Sequence, residues 1–266
     1  MTCRVRVGPA RHVTGPVTAN RGKSQIFGMN KHFVGSKNGA GVKQWIINLM
    51  PAHRIYVEPF LGKGAVMLAK RRSAGTVGID YDHETISDFA CRQSWPGLTT
   101  VHGNSLEILP LLKVESDWLI YADPPYLASS RSCKRRYYKN ELMTEAEHDR
   151  LLSILTTLPA QVMISGYWSE LYKDRLQGWN TSTFWTVNRA GKRVQEFLWF
   201  NFPVPALPFD VQFAGSNRTE RQRIKRKAGR WLRKFMAVPE SERQFILNSL
   251  LTAPPAPRSF PAIRSA

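Results

Sequence analysis

Hydrophobic and polar positions change their period along this chain, and each change marks an element. VKQWIINLMP sets Val42, Ile46, Leu49 and Met50 on one helical face before Pro51 stops it. RIYVEPF is a short apolar run ending at Pro59, which predicts a buried strand. GAVMLAKRR predicts a helix starting just after Gly62 and Gly64. GTVGID predicts a second strand, HETISDFACRQ a helix, LTTVHG a third strand and DWLIYA a fourth. In TEAEHDRLLSILTTL, Thr144 and Glu147 have capping-box spacing ahead of a helix. QVMISGY predicts a strand and SELYKDRL a short helix. TSTFWTVNR and KRVQEFLWFNF alternate with period two across Ala190-Gly191, the pattern of a β-hairpin. This order predicts an α/β fold: a doubly wound, mostly parallel sheet ending in an antiparallel hairpin.

The pattern changes after Phe202. PVPALP reads as a linker. NRTERQRIKRKAGRWLRKFM predicts a helix with Ile224, Ala228, Trp231 and Phe235 on one stripe, and PESERQFILNSLL predicts a second. The expected layout is a disordered basic segment over 1–30, the α/β domain over 31–205, a basic helical hairpin over 206–252 and a Pro-rich disordered tail over 253–266. The Trp231 stripe is expected to face the core of that small helical pair. The Arg-rich, acid-poor start also fits a transit peptide, or a gene start that truly lies at Met29.

Composition narrows the function classes. The three cysteines, Cys3, Cys91 and Cys133, form no CxxC pair, and their odd number argues against a disulfide framework. The six histidines make no HExxH, so no metal is expected. No apolar run is long enough to cross a membrane, and a monomer of a reducing, cytoplasmic compartment is expected. The net charge of +18 is clustered. No acid precedes Glu58, RSCKRRYYK follows the fourth strand, and Arg218–Lys234 carries nine bases against Glu220 alone. Such clusters suit a polyphosphate partner, because each phosphate contact releases condensed counterions.

The strand ends carry the candidate chemistry. EPFLGKG lies between the first strand and a helix, where glycines let a ligand approach the backbone. It is neither GxGxxG nor a P-loop. Glu58 suits a positively charged ligand. Asp80, in GIDYD, sits where doubly wound sheets hold a ribose, and Asp82 is the helix cap that leaves Asp80 available. Asn104, in HGNS, is either an adenine contact or a turn residue. A glycine loop, a ribose acceptor and an amide make an adenosine pocket without a phosphate clamp, which fits S-adenosylmethionine. The fourth strand ends in DPPY. Asp123 and the Pro124 carbonyl can both accept from one exocyclic amine, Pro125 stiffens the turn, and Tyr126 can stack on the ring.

GSKNGAG, EPFLGKG, GIDYD, HGNS, DPPY, ISGY and EFLWFNF together resemble the amino-methylating DNA methyltransferases, above all the DNA adenine-N6 methylases of phages and bacteria. The resemblance runs from about Phe33 to Phe202. It implies that Lys37 and Gly39 close over the methionine, and that Glu58, Pro59, Phe60, Gly62 and Gly64 line the cofactor. It further implies that Asp80 takes the ribose, Asn104 the cofactor adenine, and Asp123 to Tyr126 the flipped target adenine, with Asp123 also bordering the cofactor. Three departures stand out, the first being Asn104, where many relatives have Asp. Lys63 is bulky between the two glycines, and the interval from Gly64 to Asp123 is too short for a large target-recognition domain.

Sequence reading is therefore expected from the loop carrying Arg131, Lys134, Arg135, Arg136, Tyr137 and Tyr138, or from Arg223, Lys225, Arg226 and Lys227. Duplex DNA is the expected partner, in a bacterial cell and of phage or prophage type. RNA base methylation, at adenine N6 or guanine N2, and a catalytically degenerate nucleic-acid binder are the alternatives.

Overall fold

The computed structural model describes residues 41–127, 143–187 and 193–253. Contacts divide the chain between Phe33 and Val34, and every described residue lies in the second unit. Seven strands form one sheet in the order β3-β2-β1-β4-β5-β7-β6. They are β1 (Ile55–Glu58), β2 (Gly75–Asp80), β3 (Leu98–His102), β4 (Trp118–Ala122), β5 (Gln161–Gly166), β6 (Asn180–Val187) and β7 (Arg193–Phe200). The first five run parallel, while β7 runs antiparallel to β5 and β6. The expected doubly wound sheet with a terminal hairpin is the one observed.

The helices are α1 (Val42–Asn48), α2 (Ala65–Ala69), α3 (His83–Arg92), α4 (Ser105–Ile108), α5 (Glu145–Thr157), α6 (Glu170–Arg175), α7 (Arg218–Met236) and α8 (Glu240–Thr252). The turn α4 and the 3-10 turn Leu109–Leu111 after it lie in a segment where the pattern predicts no element. Thr144 caps α5 in a full capping box with Glu147. Asp82 caps α3 through the Glu84 N–H, as its position predicts.

Alternating side chains feed two cores. Tyr56, Leu119, Tyr121, Met163, Leu198 and Phe200 pack on one face of the sheet, against Val42, Ile46, Ile47 and Met50 of the α1 segment. Val57, Ile120, Ala122, Val162 and Ile164 pack on the other, against Leu151, Leu152 and Leu155 of α5. Because β2 leaves β1 on one side and β4 joins it on the other, the β1–β4 crevice is the topological switch point, where such sheets bind ligands beyond the carboxyl ends of their strands.

The packed chain continues past PVPALP. The Phe209 N–H donates to the Met50 carbonyl at 2.8 Å, and the buried Asp210 accepts from the Arg71 N–H at 2.6 Å. The Phe209 ring lies 4.0 Å from that of His53.

The Trp231 stripe departs from expectation. No residue of α7 or α8 is buried, and Trp231 is 64% exposed. A 3.6-residue period fixes which side of a helix is apolar, but not what covers it. Here Ile224 and Phe235 are half-buried, while Ala228 and Trp231 are exposed.

Candidate active site

The loop after β1 is shaped by its two glycines. Gly62 and Gly64 have φ of 49° and 59°, in the left-handed region that side chains disfavour. Their surroundings differ. A Cβ on Gly64 would lie 2.6 Å from the Phe89 ring, whereas one on Gly62 would meet nothing within 4 Å. Gly64 thus serves close packing, and Gly62 offers bare backbone on an open side. Lys63 is exposed, so its bulk points away from the turn. Pro59 is buried and Phe60 half-buried beside them. The Pro59 carbonyl accepts from the Ser105 hydroxyl, which ties this loop to the start of α4.

Asp80 ends β2 beside that loop. It accepts from the Gly62 N–H at 2.7 Å and from the Asp82 N–H at 3.0 Å. Burial raises its carboxyl above the usual range, and these two donors oppose the rise. Tyr81, the next residue, is exposed. Asn104 caps α4, its side-chain oxygen accepting from the Leu106 N–H at 3.0 Å. The turn role open to it in the sequence is therefore occupied, while its amide nitrogen lies 3.5 Å from Glu107.

Glu58 is only 3% exposed. It accepts from the Tyr56 hydroxyl at 3.0 Å. Burial pushes its carboxyl up to about 8, and the nearby Asp123 adds to this. The Tyr56 hydroxyl, the Met67 backbone N–H and the Lys70 ammonium pull the other way. Lys70 is itself buried, 4.3 Å from the centre of the Tyr56 ring, and its amine is lowered to about 8.

At the end of β4, Asp123 is half-buried and its Oδ1 accepts from the Ser165 hydroxyl at 2.8 Å. Pro124 is buried, Pro125 and Tyr126 half-buried. The Tyr126 ring centre lies 4.4 Å from that of Tyr167, the residue after β5, at a tilt of 53°. Trp168, next along, is 46% exposed. The ISGY run therefore adds aromatic surface to DPPY. Neither Ser165 nor Tyr167 is assigned a part by the sequence. Their signal was the strand alternation itself, which turns Ser165 to the face shared by Tyr121 and Met163.

The predicted residues of the first four strand ends thus come together along one edge of the sheet, with Glu58 and Asp123 at the switch point. Lys37, Gly39, Arg131, Lys134, Arg135, Arg136, Tyr137 and Tyr138 lie outside the described residues. Arg223, Lys225, Arg226 and Lys227 are exposed on α7. Among the described residues no group of side chains is arranged to hold a metal, and no helix is long and apolar enough to cross a membrane.

No curated protein matches the chain in sequence. Among solved structures it is similar to a precorrin 8W decarboxylase from Methanobacterium thermoautotrophicum, at 14% identity and a TM-score of 0.40, covering 64% of this chain and 97% of that one. An S-adenosylmethionine-dependent methyltransferase from Agrobacterium tumefaciens aligns at 12% identity and a TM-score of 0.41, over 59% of this chain and 58% of that one. The magnesium protoporphyrin IX methyltransferase from Synechocystis PCC 6803, solved with its cofactor bound, aligns at 14% identity and a TM-score of 0.40, over 61% and 77%. Residues 99–188, from β3 through β6 and including Asp123 to Tyr126, match the family of D12 class N6 adenine-specific DNA methyltransferases, the family that the motifs resemble.

Proposed function

We propose that this protein methylates adenine N6 in DNA, taking the methyl group from S-adenosylmethionine and acting on an adenine turned out of the duplex. The observation that carries the reading is the position of DPPY: it follows β4 at the switch point, level with the glycine loop, inside the segment that matches the adenine-methylase family. The described residues fit the cofactor. Gly62 offers backbone on an open side, Asp80 is an anchored acceptor, and the exposed Tyr81 stands beside it for the adenine ring. When bound, S-adenosylmethionine supplies a methyl group on a positively charged sulfur.

Asp123 and the Pro124 carbonyl accept from the target amine, drawing its nitrogen toward sp³ character and freeing its lone pair. The freed lone pair would accept the methyl group that S-adenosylmethionine supplies, leaving its sulfur a neutral thioether, and the proton lost from the amine would pass by way of the Asp123 carboxylate to water. Tyr126 and Tyr167 provide flat surface for the extruded ring, offsetting part of the few kcal/mol that unstacking costs. The bases of α7, and those after Tyr126, hold phosphates. The protein acts in the cytoplasm of a bacterial cell, where its cofactor and DNA are both at hand.

The test is transfer of labelled methyl from S-adenosylmethionine to unmethylated duplex DNA, with structured RNA in competition. Label in DNA that RNA fails to displace supports the reading. Label confined to RNA overturns it.

A further inference from the structure

We infer that Ser165, itself held by Tyr121, is a positioning residue that sets the orientation of the Asp123 carboxylate. The inference rests on the methyltransferase reading and deepens it.

Asp123 leaves β4 into two prolines, and neither can donate a backbone N–H to it. A donor held on a neighbouring strand can fix the aim of such a carboxylate. Ser165 on β5 is that donor, 2.8 Å from Oδ1 and 1% exposed. A serine hydroxyl has one proton, and here it goes to the carboxylate. The second contact of Ser165, 3.0 Å to the Tyr121 hydroxyl, must then run from tyrosine to serine. Tyr121 is fully buried.

The sheet fixes this chain of donors. Tyr121 and Asp123 are two residues apart on one side of β4. Ser165 lies two residues beyond Met163, the partner of Tyr121 across the β4–β5 pair. The three oxygens are thus set by strand register rather than by flexible side chains. Among the described residues, the groups that feel the Asp123 charge include Glu58 and Tyr56 of β1 and Tyr172 of α6, whose hydroxyl lies 2.9 Å from His148 Nδ1. The Ser165 hydroxyl, a neutral donor at a fixed angle, steadies the Asp123 anion and directs it, also above about pH 8, where Glu58 ionises and repels it.

Methyl-transfer kinetics of Ser165→Ala, Ser165→Thr and Tyr121→Phe, beside Asp123→Ala, test this. Ser165→Ala is expected to lower kcat about tenfold, with the KM for S-adenosylmethionine within about twofold. Its acid limb in the kcat–pH profile should move to higher pH, because an anion that loses a donor is protonated more readily. Ser165→Thr keeps the hydroxyl and should recover most of the rate. Tyr121→Phe removes one oxygen from an otherwise intact core and should show a smaller loss in the same direction. Carbon-13 titration of the Asp123 carboxyl gives a reading free of any substrate, and its midpoint should rise in Ser165→Ala. A wild-type kcat and an unmoved midpoint in Ser165→Ala, with Asp123→Ala inactive, overturn the inference and leave the methyltransferase reading standing. Full activity in Asp123→Ala overturns both.

Discussion

The backbone N–H of Gly62 donates to Asp80 Oδ2 at 2.7 Å, joining the glycine loop after β1 to the carboxyl end of β2. One side chain thus shapes the loop and, on the proposed reading, also takes the ribose of the cofactor. Asp80→Ala removes a charged acceptor from two backbone donors, each such bond being worth about 1.5–3 kcal/mol. Calorimetry should show S-adenosylmethionine binding weakened by about tenfold or more. Unchanged affinity would remove Asp80 from the cofactor site.

The two glycines of that loop should respond differently to the same substitution. Gly64→Ala drives a methyl into the Phe89 ring and strains a left-handed backbone, at about 1–3 kcal/mol. Thermal denaturation should show Tm lowered by several degrees. Gly62→Ala meets no protein atom, so its stability loss should be smaller and its loss of cofactor affinity larger. Equal effects of the two changes on binding would contradict the division of labour.

Glu58 makes stability depend on pH. Its carboxyl titrates near 8 in the folded protein, against 4.5 ordinarily. Between those values the folded state holds a proton that the unfolded chain has lost. Its contribution is therefore full below about 4.5 and fades as pH rises through about 8. Glu58→Gln carries no such titration, so the difference between the two proteins reads Glu58 together with the Lys70 amine coupled to it. From pH 5 to 8.5 the Tm of the wild type should fall relative to that of Glu58→Gln. A constant difference would mean that Glu58 is ionised throughout.

The exposed bases of α7 should appear in the salt dependence of DNA binding. Each phosphate contact contributes about 0.9 to the slope of log affinity against log salt. Replacing Arg223, Lys225, Arg226 and Lys227 by alanine should reduce the slope by about two to four, at little cost to Tm, since all four are exposed. An unaltered slope would place the phosphates elsewhere.

Most of the fold was legible because each element announces its own period. The capping box of Thr144 and Glu147, and the cap at Asp82 that leaves Asp80 to other partners, are local patterns. What stayed hidden depends on partners distant in sequence. The Ser165 bond to Asp123 crosses two strands, and nothing around either residue specifies it. Glu58 reads as an acid before a glycine loop, but its burial comes from packing on both faces of β1. Asp210 lies beyond a linker-like run, yet it is fastened to Arg71. The Trp231 stripe has the period of a packed helix, yet Trp231 itself is exposed.

The most direct test of the central claim is base-resolved detection of methylation in unmethylated plasmid DNA incubated with S-adenosylmethionine and either the wild-type protein or Asp123→Ala. The account predicts N6-methyladenine with the wild type and none with Asp123→Ala, while the variant still binds the cofactor. Methylation of another base, or N6-methyladenine made equally by both proteins, would contradict it.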